Sequence, residues 1–112
     1  MQSQLYISGK LNANPEFFTT PKGKPWARIL LETELNRPEG RGGFQTEIVI
    51  LPVKCFAREA AAVKDLRPGE EVSIGCHLSA TKFETDSGEL KRGVQLVADS
   101  VLKRLGANAE GR

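Results

Sequence analysis

Apolar and polar residues alternate along four separate segments of this 112-residue sequence, and a fifth segment, Gln45–Phe56, is rich in isoleucine and valine. Because successive side chains of a β-strand point to opposite faces, a period of two predicts half-buried strands. The predicted strands are Leu5–Leu11, Trp26–Leu35, Gln45–Phe56, a strand from Val72 that continues to Thr85, and a last strand through Val94 and Leu96. At Arg58–Leu66 the period of the pattern changes. This segment is rich in alanine and ends at Arg67-Pro68-Gly69, which predicts a short helix.

Five strands with one short helix between strands 3 and 4 predict an all-β protein of the OB-fold class, a five-stranded Greek-key barrel. A different small barrel is the alternative. The domain is expected to span residues 1–105, with residues 106–112 as a short flexible C-terminal tail. Asn12–Pro25 is expected to be a loop or loose hairpin, and Asn36–Gly43 a flexible basic loop. Pro52 is expected at a strand edge or bulge, because proline cannot donate to the ladder.

The composition excludes some classes of function but does not identify one. A net charge of +2 is only mildly basic, so the placement of charge has to identify any nucleic-acid site. Cys55 and Cys76 are too few for a disulfide framework and lack zinc-site spacing, which favours buried thiols in a reducing cytoplasm. No targeting signal or long apolar run is present, so we expect a cytoplasmic protein without membrane contact. His77 is the only histidine, and no catalytic residue, metal ligand set or cofactor site is predicted.

Several short strings in the sequence follow one another in a specific order. ISGKLNANPE, TPKGKPWARILLETE and LRPGEEVSIGCHLSATKFETDSGE contain Gly9-Leu11-Pro15-Glu16, Pro21-Gly23, Leu66-Gly69 and Phe83-Asp86-Gly88. In order and spacing they resemble bacterial single-stranded DNA-binding proteins over about residues 5–102. The resemblance implies an OB-fold that assembles as a homo-oligomer, a dimer or tetramer. It also implies binding of single-stranded DNA, with RNA possible, in replication, repair, recombination or plasmid transfer.

Two departures from that pattern define an alternative. The third strand, QTEIVILPVKCF, lacks the tryptophan and histidine expected near its start and carries Pro52-Val53, which is more similar to primosomal replication protein N. A protein of that kind would act mainly as an adaptor that contacts replication or primosome proteins. Replication-type members also carry a long linker and an acidic tip that recruits partners. This sequence ends at Ala109-Glu110-Gly111-Arg112, and no recruitment through such a tip is expected from it.

Single-stranded nucleic acid is held by aromatic rings that stack on bases and by cations that contact phosphates. Phe83 with Lys82, and Phe56 with Lys54 and Arg58, are the ring and cation pairs that fit best. For both rings, packing in the core is the alternative. The remaining predicted contacts are Trp26, Arg28, Arg37, Arg41, Arg67, Lys91, Arg92 and Lys10. Trp26 is equally suited to a base platform or an oligomer contact. Phe17, Phe18 and Tyr6 have similar alternatives, with packing or subunit contact favoured over base stacking.

Overall fold

The computed structural model describes residues 5–103, which contain six strands and one short helix. In chain order they are β1 (Leu5–Leu11), β2 (Glu16–Thr19), β3 (Pro25–Pro38), β4 (Phe44–Phe56), α1 (Arg58–Ala62), β5 (Glu71–Glu84) and β6 (Leu90–Lys103). The predicted tail at 106–112 and the domain boundary at 105 lie outside these residues. Within the described range, no helix has the length and apolar character needed to cross a membrane.

Five of the strands close into a barrel. The strand order is β1-β5-β6-β4-β3, and β3 returns to pair with β1, so the sheet has no gap between its first and last barrel strands. All of these pairs are antiparallel except β4 with β6, which is parallel through Val53–Leu96 and Lys54–Val97. Helix α1 lies between the third and fourth barrel strands. The prediction of an OB-fold is confirmed.

Of the two predicted loops, the first forms a hairpin and the second contains more strand than expected. In the first, Glu16–Thr19 forms β2, which pairs with the start of β3. A tight turn makes this possible, since the Gly23 amide donates to the Thr20 carbonyl at 2.8 Å. In the second loop, residues 36–38 continue β3, and only the turn at 39–43 remains. Cross-strand hydrogen bonds extend the ladder there, because Thr46 Oγ1 donates to Asn36 Oδ1 and Arg37 Nη2 to Gln45 Oε1, both at 2.9 Å.

Helix α1 is shorter than predicted and ends at Ala62. It begins after Ala57, whose φ of 52° lies in the left-handed region, where the chain turns sharply out of β4. The expected residues up to Leu66 form tighter turns instead, with the Leu66 amide donating to the Val63 carbonyl at 3.2 Å. Both of these side chains are buried, so the segment still caps the barrel core.

The core is built from the inward row of each barrel strand together with α1 and the turns that follow it. Its members are Leu11, Ala27, Ile29, Leu31, Val53, Cys55, Ala60, Val63, Leu66, Val72, Ile74, Cys76 and Ala98. Burial raises the pKa of the Cys55 thiol to about 12, and the nearby Glu59 carboxylate adds to the shift. Burial also raises the pKa of Cys76, with a further contribution from Asp99. Both cysteines are therefore buried thiols rather than disulfide or reactive groups.

Gly9 is placed where β1 meets β3. A methyl group at this position would overlap the carbonyl oxygen of Glu32 and lie 3.1 Å from its carbonyl carbon and 3.2 Å from Leu31 Cγ. Immediately beyond Gly9, Lys10 and Leu11 pair with Glu32 and Leu31 and close the barrel. The absence of a side chain at Gly9 therefore permits the two backbones to approach closely enough to pair.

We predict that Gly9→Ala destabilises the protein by about 1–3 kcal/mol, because the added methyl must displace backbone rather than a mobile side chain. Gly40→Ala is the matched control, since Gly40 has no atom within 4 Å of the added methyl and its φ is not positive. Urea unfolding of the two variants measures the difference. Equal stability of Gly9→Ala and the unmodified protein would contradict this account of barrel closure.

Candidate nucleic-acid interface

Three aromatic rings stack across β2, β3 and β4 on the outer surface of the barrel. The register aligns Phe18 with Trp26 and Trp26 with Phe56, so all three side chains point to the same face. The ring centroids of Phe18 and Trp26 are 4.5 Å apart, and those of Trp26 and Phe56 are 6.0 Å apart, with interplanar angles of 24° and 27°. We call these three residues the ring stack.

Two cations lie beside the ring stack. Lys54 Nζ is 5.1 Å from the centroid of the Trp26 ring, and Arg28 Cζ is 5.9 Å from that of Phe18. Arg28 and Lys54 are themselves in register across β3 and β4. Arg28 also forms an ion pair with Glu16, with Nε 2.8 Å from Oε1. Lys54 is therefore the better available phosphate contact, because a carboxylate already neutralises part of the Arg28 charge.

The order of the strands determines which rings a base can reach. Trp26 lies on the middle strand, so Phe18 covers one side of the indole and Phe56 the other. Phe18 and Phe56 are the end rings, and they are 39% and 37% exposed. A base can stack on these end rings more readily than on Trp26. Phe56 points outward on β4, so it does not pack in the core, which was the alternative to a ligand contact.

Phe83 lies on the β5–β6 hairpin, outside the ring stack. Its side chain is 48% exposed, and its cross-strand partner is Lys91. Lys82, which the sequence paired with this ring, stands opposite Arg92 and points to the other face of the hairpin. Neighbouring residues of one strand point to opposite faces, whereas two residues in register on paired strands lie side by side on the same face. The cation that shares the face of Phe83 is therefore Lys91 rather than Lys82.

Phe83 and the ring stack are separate sites on the surface. Lys54 of β4 aligns with Val97 of β6, and these two strands run in the same direction. Phe56 lies two residues beyond Lys54, whereas Lys91, the partner of Phe83, lies six residues before Val97. Eight strand residues correspond to roughly 25 Å. One ligand could contact both sites only if it were extended over about this length.

The other predicted cations are spread over the molecule. Arg58 is exposed at the start of α1 and contacts Glu59, with Nε 3.2 Å from Oε2. Arg37 lies near the end of β3, with Nη2 3.4 Å from a carboxylate oxygen of Glu47. Arg41 is exposed in the β3–β4 turn. Arg67 precedes β5, at the opposite end of that strand from Phe83.

Lys10 lies in a different setting from these cations. It lines a cleft of about 310 Å³ formed by Ser8, Gly9, Lys10, Glu32, Thr33, Glu34 and Glu71. Three carboxylates and one ammonium group give this cleft a negative balance, which disfavours a phosphate. The structure does not group Lys10 with the exposed rings.

Phe18 is a member of the ring stack, although the sequence pattern favours packing or subunit contact over base stacking for it. The interpretation of Asn12–Pro25 as a loop or loose hairpin leaves its position ambiguous. The signal that could have placed it is the Thr20–Lys24 turn, which reverses the chain and aligns Phe18 with Trp26. Phe17 points to the opposite face of β2, and Tyr6 lies on β1, away from the stack.

His77 is paired with a carboxylate on neighbouring strands. Its Nδ1 lies 2.8 Å from Asp99 Oδ1, next to the bulge where Gly75 aligns with Ser100 and Cys76 with Ala98. Among residues 5–103, no group of three His, Cys, Asp or Glu side chains is arranged to hold a metal ion. This pair is a polar contact between β5 and β6, which accounts for the position of the single histidine.

The barrel and its exposed rings define an OB-fold protein with an aromatic and cationic outer surface. A family model described as the single-strand binding protein family matches residues 2–103. Because this match covers most of the sequence, the chain belongs to the single-strand binding protein family. A search of curated proteins gives no match.

Solved structures share the fold. Wild-type single-stranded DNA binding protein from Thermus aquaticus aligns with a TM-score of 0.77 and 24% identity, over 92% of this chain and 50% of that chain. Plasmodium falciparum SSB, solved in complex with ssDNA, gives 0.74 and 13%, over 93% and 96%. The small single-stranded DNA-binding protein from Streptomyces coelicolor gives 0.64 and 15%, over 94% and 97%. This chain spans half the length of the Thermus aquaticus protein.

Proposed function

We propose that this protein binds single-stranded DNA without strong sequence preference, through aromatic rings that stack on bases and cations that contact phosphates. The observation that carries the proposal is the exposed Phe83 ring with Lys91 on the same face of the β5–β6 hairpin. Membership of the single-strand binding protein family supports it. The processes it would serve are replication, repair, recombination or plasmid transfer.

Stacking explains why single strands are the expected ligand. Each base stacked on an aromatic side chain contributes about 1–3 kcal/mol, and every base has a π-face, so the interaction tolerates any sequence. In a duplex the faces of the bases are already stacked on one another, which leaves none for Phe83 or the end rings. Since neither the rings nor the cations read the sugar, RNA is a possible second ligand.

The two aromatic sites fit one extended ligand. Their separation of roughly 25 Å along the strands suits a strand that covers several nucleotides, and OB-folds cover about 4–16 nucleotides each. Lys54 beside the ring stack and Lys91 beside Phe83 would contact phosphates near the two stacked bases. Binding would release counterions, so affinity should fall as salt rises.

We predict that Phe83→Leu weakens binding of fluorescent oligo-dT by about 5- to 150-fold, corresponding to about 1–3 kcal/mol, because leucine keeps apolar volume but cannot stack. Val94→Thr is the matched control, because Val94 is 70% exposed and points to the other face of the same hairpin. Titrations with oligo-dT of several lengths and a duplex of matched length, at two salt concentrations, measure the effect.

Three results of this titration would contradict the proposal. Equal affinity for duplex and single strand would show that stacking is not the basis of binding. Unchanged affinity in both Phe83→Leu and Phe56→Leu would remove the stacking assignment, and absent binding at low salt would favour the primosome-adaptor alternative.

Self-association as a dimer or tetramer is part of the proposal. Over the described residues, β1 pairs with β3 only at Lys10 and Leu11, and the Ser8 carbonyl accepts from Thr33 Oγ1, which leaves the same edge of Leu5–Ile7 open to another strand. Tyr6, in the middle of this open edge, is 80% exposed. A strand from a second copy would satisfy the open backbone groups. Sedimentation velocity of the DNA-free protein tests this, and a monomeric mass would contradict it.

A further inference from the structure

Gly93 occupies a position in β6 where the backbone does not require glycine. Its φ is not positive, whereas Gly23, Gly42, Gly69 and Gly88 all have positive φ values. The bulge in the β5–β6 ladder lies elsewhere, at Gly75 and Cys76. Glycine in the interior of a strand is unfavourable, since it adds backbone entropy to the unfolded chain and packs no side chain. The reason for glycine at position 93 therefore lies in what surrounds it.

The Phe83 ring lies tightly against the space that a side chain at Gly93 would enter. A methyl group built on Gly93 would lie 3.3 Å from Phe83 Cε1, 3.9 Å from Phe83 Cδ1 and 3.6 Å from Thr81 Cγ2. Gly93 is in register with Thr81, and Phe83 with Lys91, so the ring reaches diagonally across the hairpin. An aromatic side chain can span such a diagonal pair.

We infer that Gly93 is a positioning residue for Phe83, which leaves room for the ring to lie along the hairpin with a face open to a base. This inference rests on the proposed function and adds a residue to the same site. A larger side chain at position 93 would compete with the ring for this space. The ring would then turn away from the hairpin, and its stacking face would be lost while the barrel remained intact.

Gly93→Val tests the inference, because valine is a good strand residue and its β-branched side chain would occupy space next to the ring. We expect Gly93→Val to weaken oligo-dT binding about tenfold, within the range for loss of one stacked base. Gly93→Ala should have a smaller effect, since its methyl needs only a small shift of the ring. Urea unfolding should show that both variants fold with at least the original stability.

A double-mutant cycle separates an effect through the ring from a direct effect on DNA. In a Phe83→Ala background, Gly93→Val should change affinity less than about twofold, because the ring it acts on is gone. Gln95→Val is the matched control, since Gln95 is on the same face of β6 as Gly93 but two cross-strand pairs further from Phe83. Gln95→Val adds a β-branched side chain that does not meet the ring, so the affinity of this variant for oligo-dT should stay unchanged.

Each outcome of the cycle has a definite meaning. If Phe83→Ala weakens binding and Gly93→Val does not, the positioning role is wrong and the proposed function stands. An equal loss from Gly93→Val in both backgrounds would also overturn it, because the DNA would then approach Gly93 directly. Absent binding by the unmodified protein would overturn both the proposed function and this inference.

Discussion

The close approach of β1 to β3 at Gly9 closes the barrel, and the surface features depend on that closure. Once β1 pairs with both β5 and β3, the odd-numbered residues of β3 and β4 face the core. Their even-numbered neighbours, including Trp26 and Phe56, must then face outward and in register. The ring stack is therefore a consequence of the same pairing that buries Ile29 and Val53, and it needs no separate scaffold.

The exposed rings differ in what they can offer a ligand. In the ring stack, the two faces of Trp26 are covered, so the stack offers its end rings and its flanking Lys54. Among residues 5–103, no other aromatic ring stacks on Phe83, and it projects on a two-stranded hairpin beyond the barrel. Phe83 is also more exposed than either end ring, at 48% against 39% and 37%, so it offers a base the larger accessible surface and has the leading role in the proposed function.

Much of the fold could be predicted because most of its strands alternate, β4 is rich in isoleucine and valine, and the period changes at Arg58 where the helix begins. The buried rows of β3 and β5 are the apolar rows of the sequence pattern. The site was harder to predict, since it depends on which residues meet across strands. Lys82 is next to Phe83 in sequence but on the opposite face, whereas Lys91 is eight residues away and its register partner. Phe18 could be placed beside Trp26 only after the turn at residues 20–24 was known.

Photochemical crosslinking tests the central claim most directly, because it reports which side chains touch bases. Oligo-dT carrying single 5-iodouracil substitutions would be bound, irradiated and mapped by mass spectrometry. We predict crosslinks at Phe83 and at an end ring, Phe56 or Phe18, from nucleotides several positions apart in the same oligonucleotide. Efficient binding with crosslinks confined to other residues, such as those of the acidic cleft around Lys10, would contradict the account.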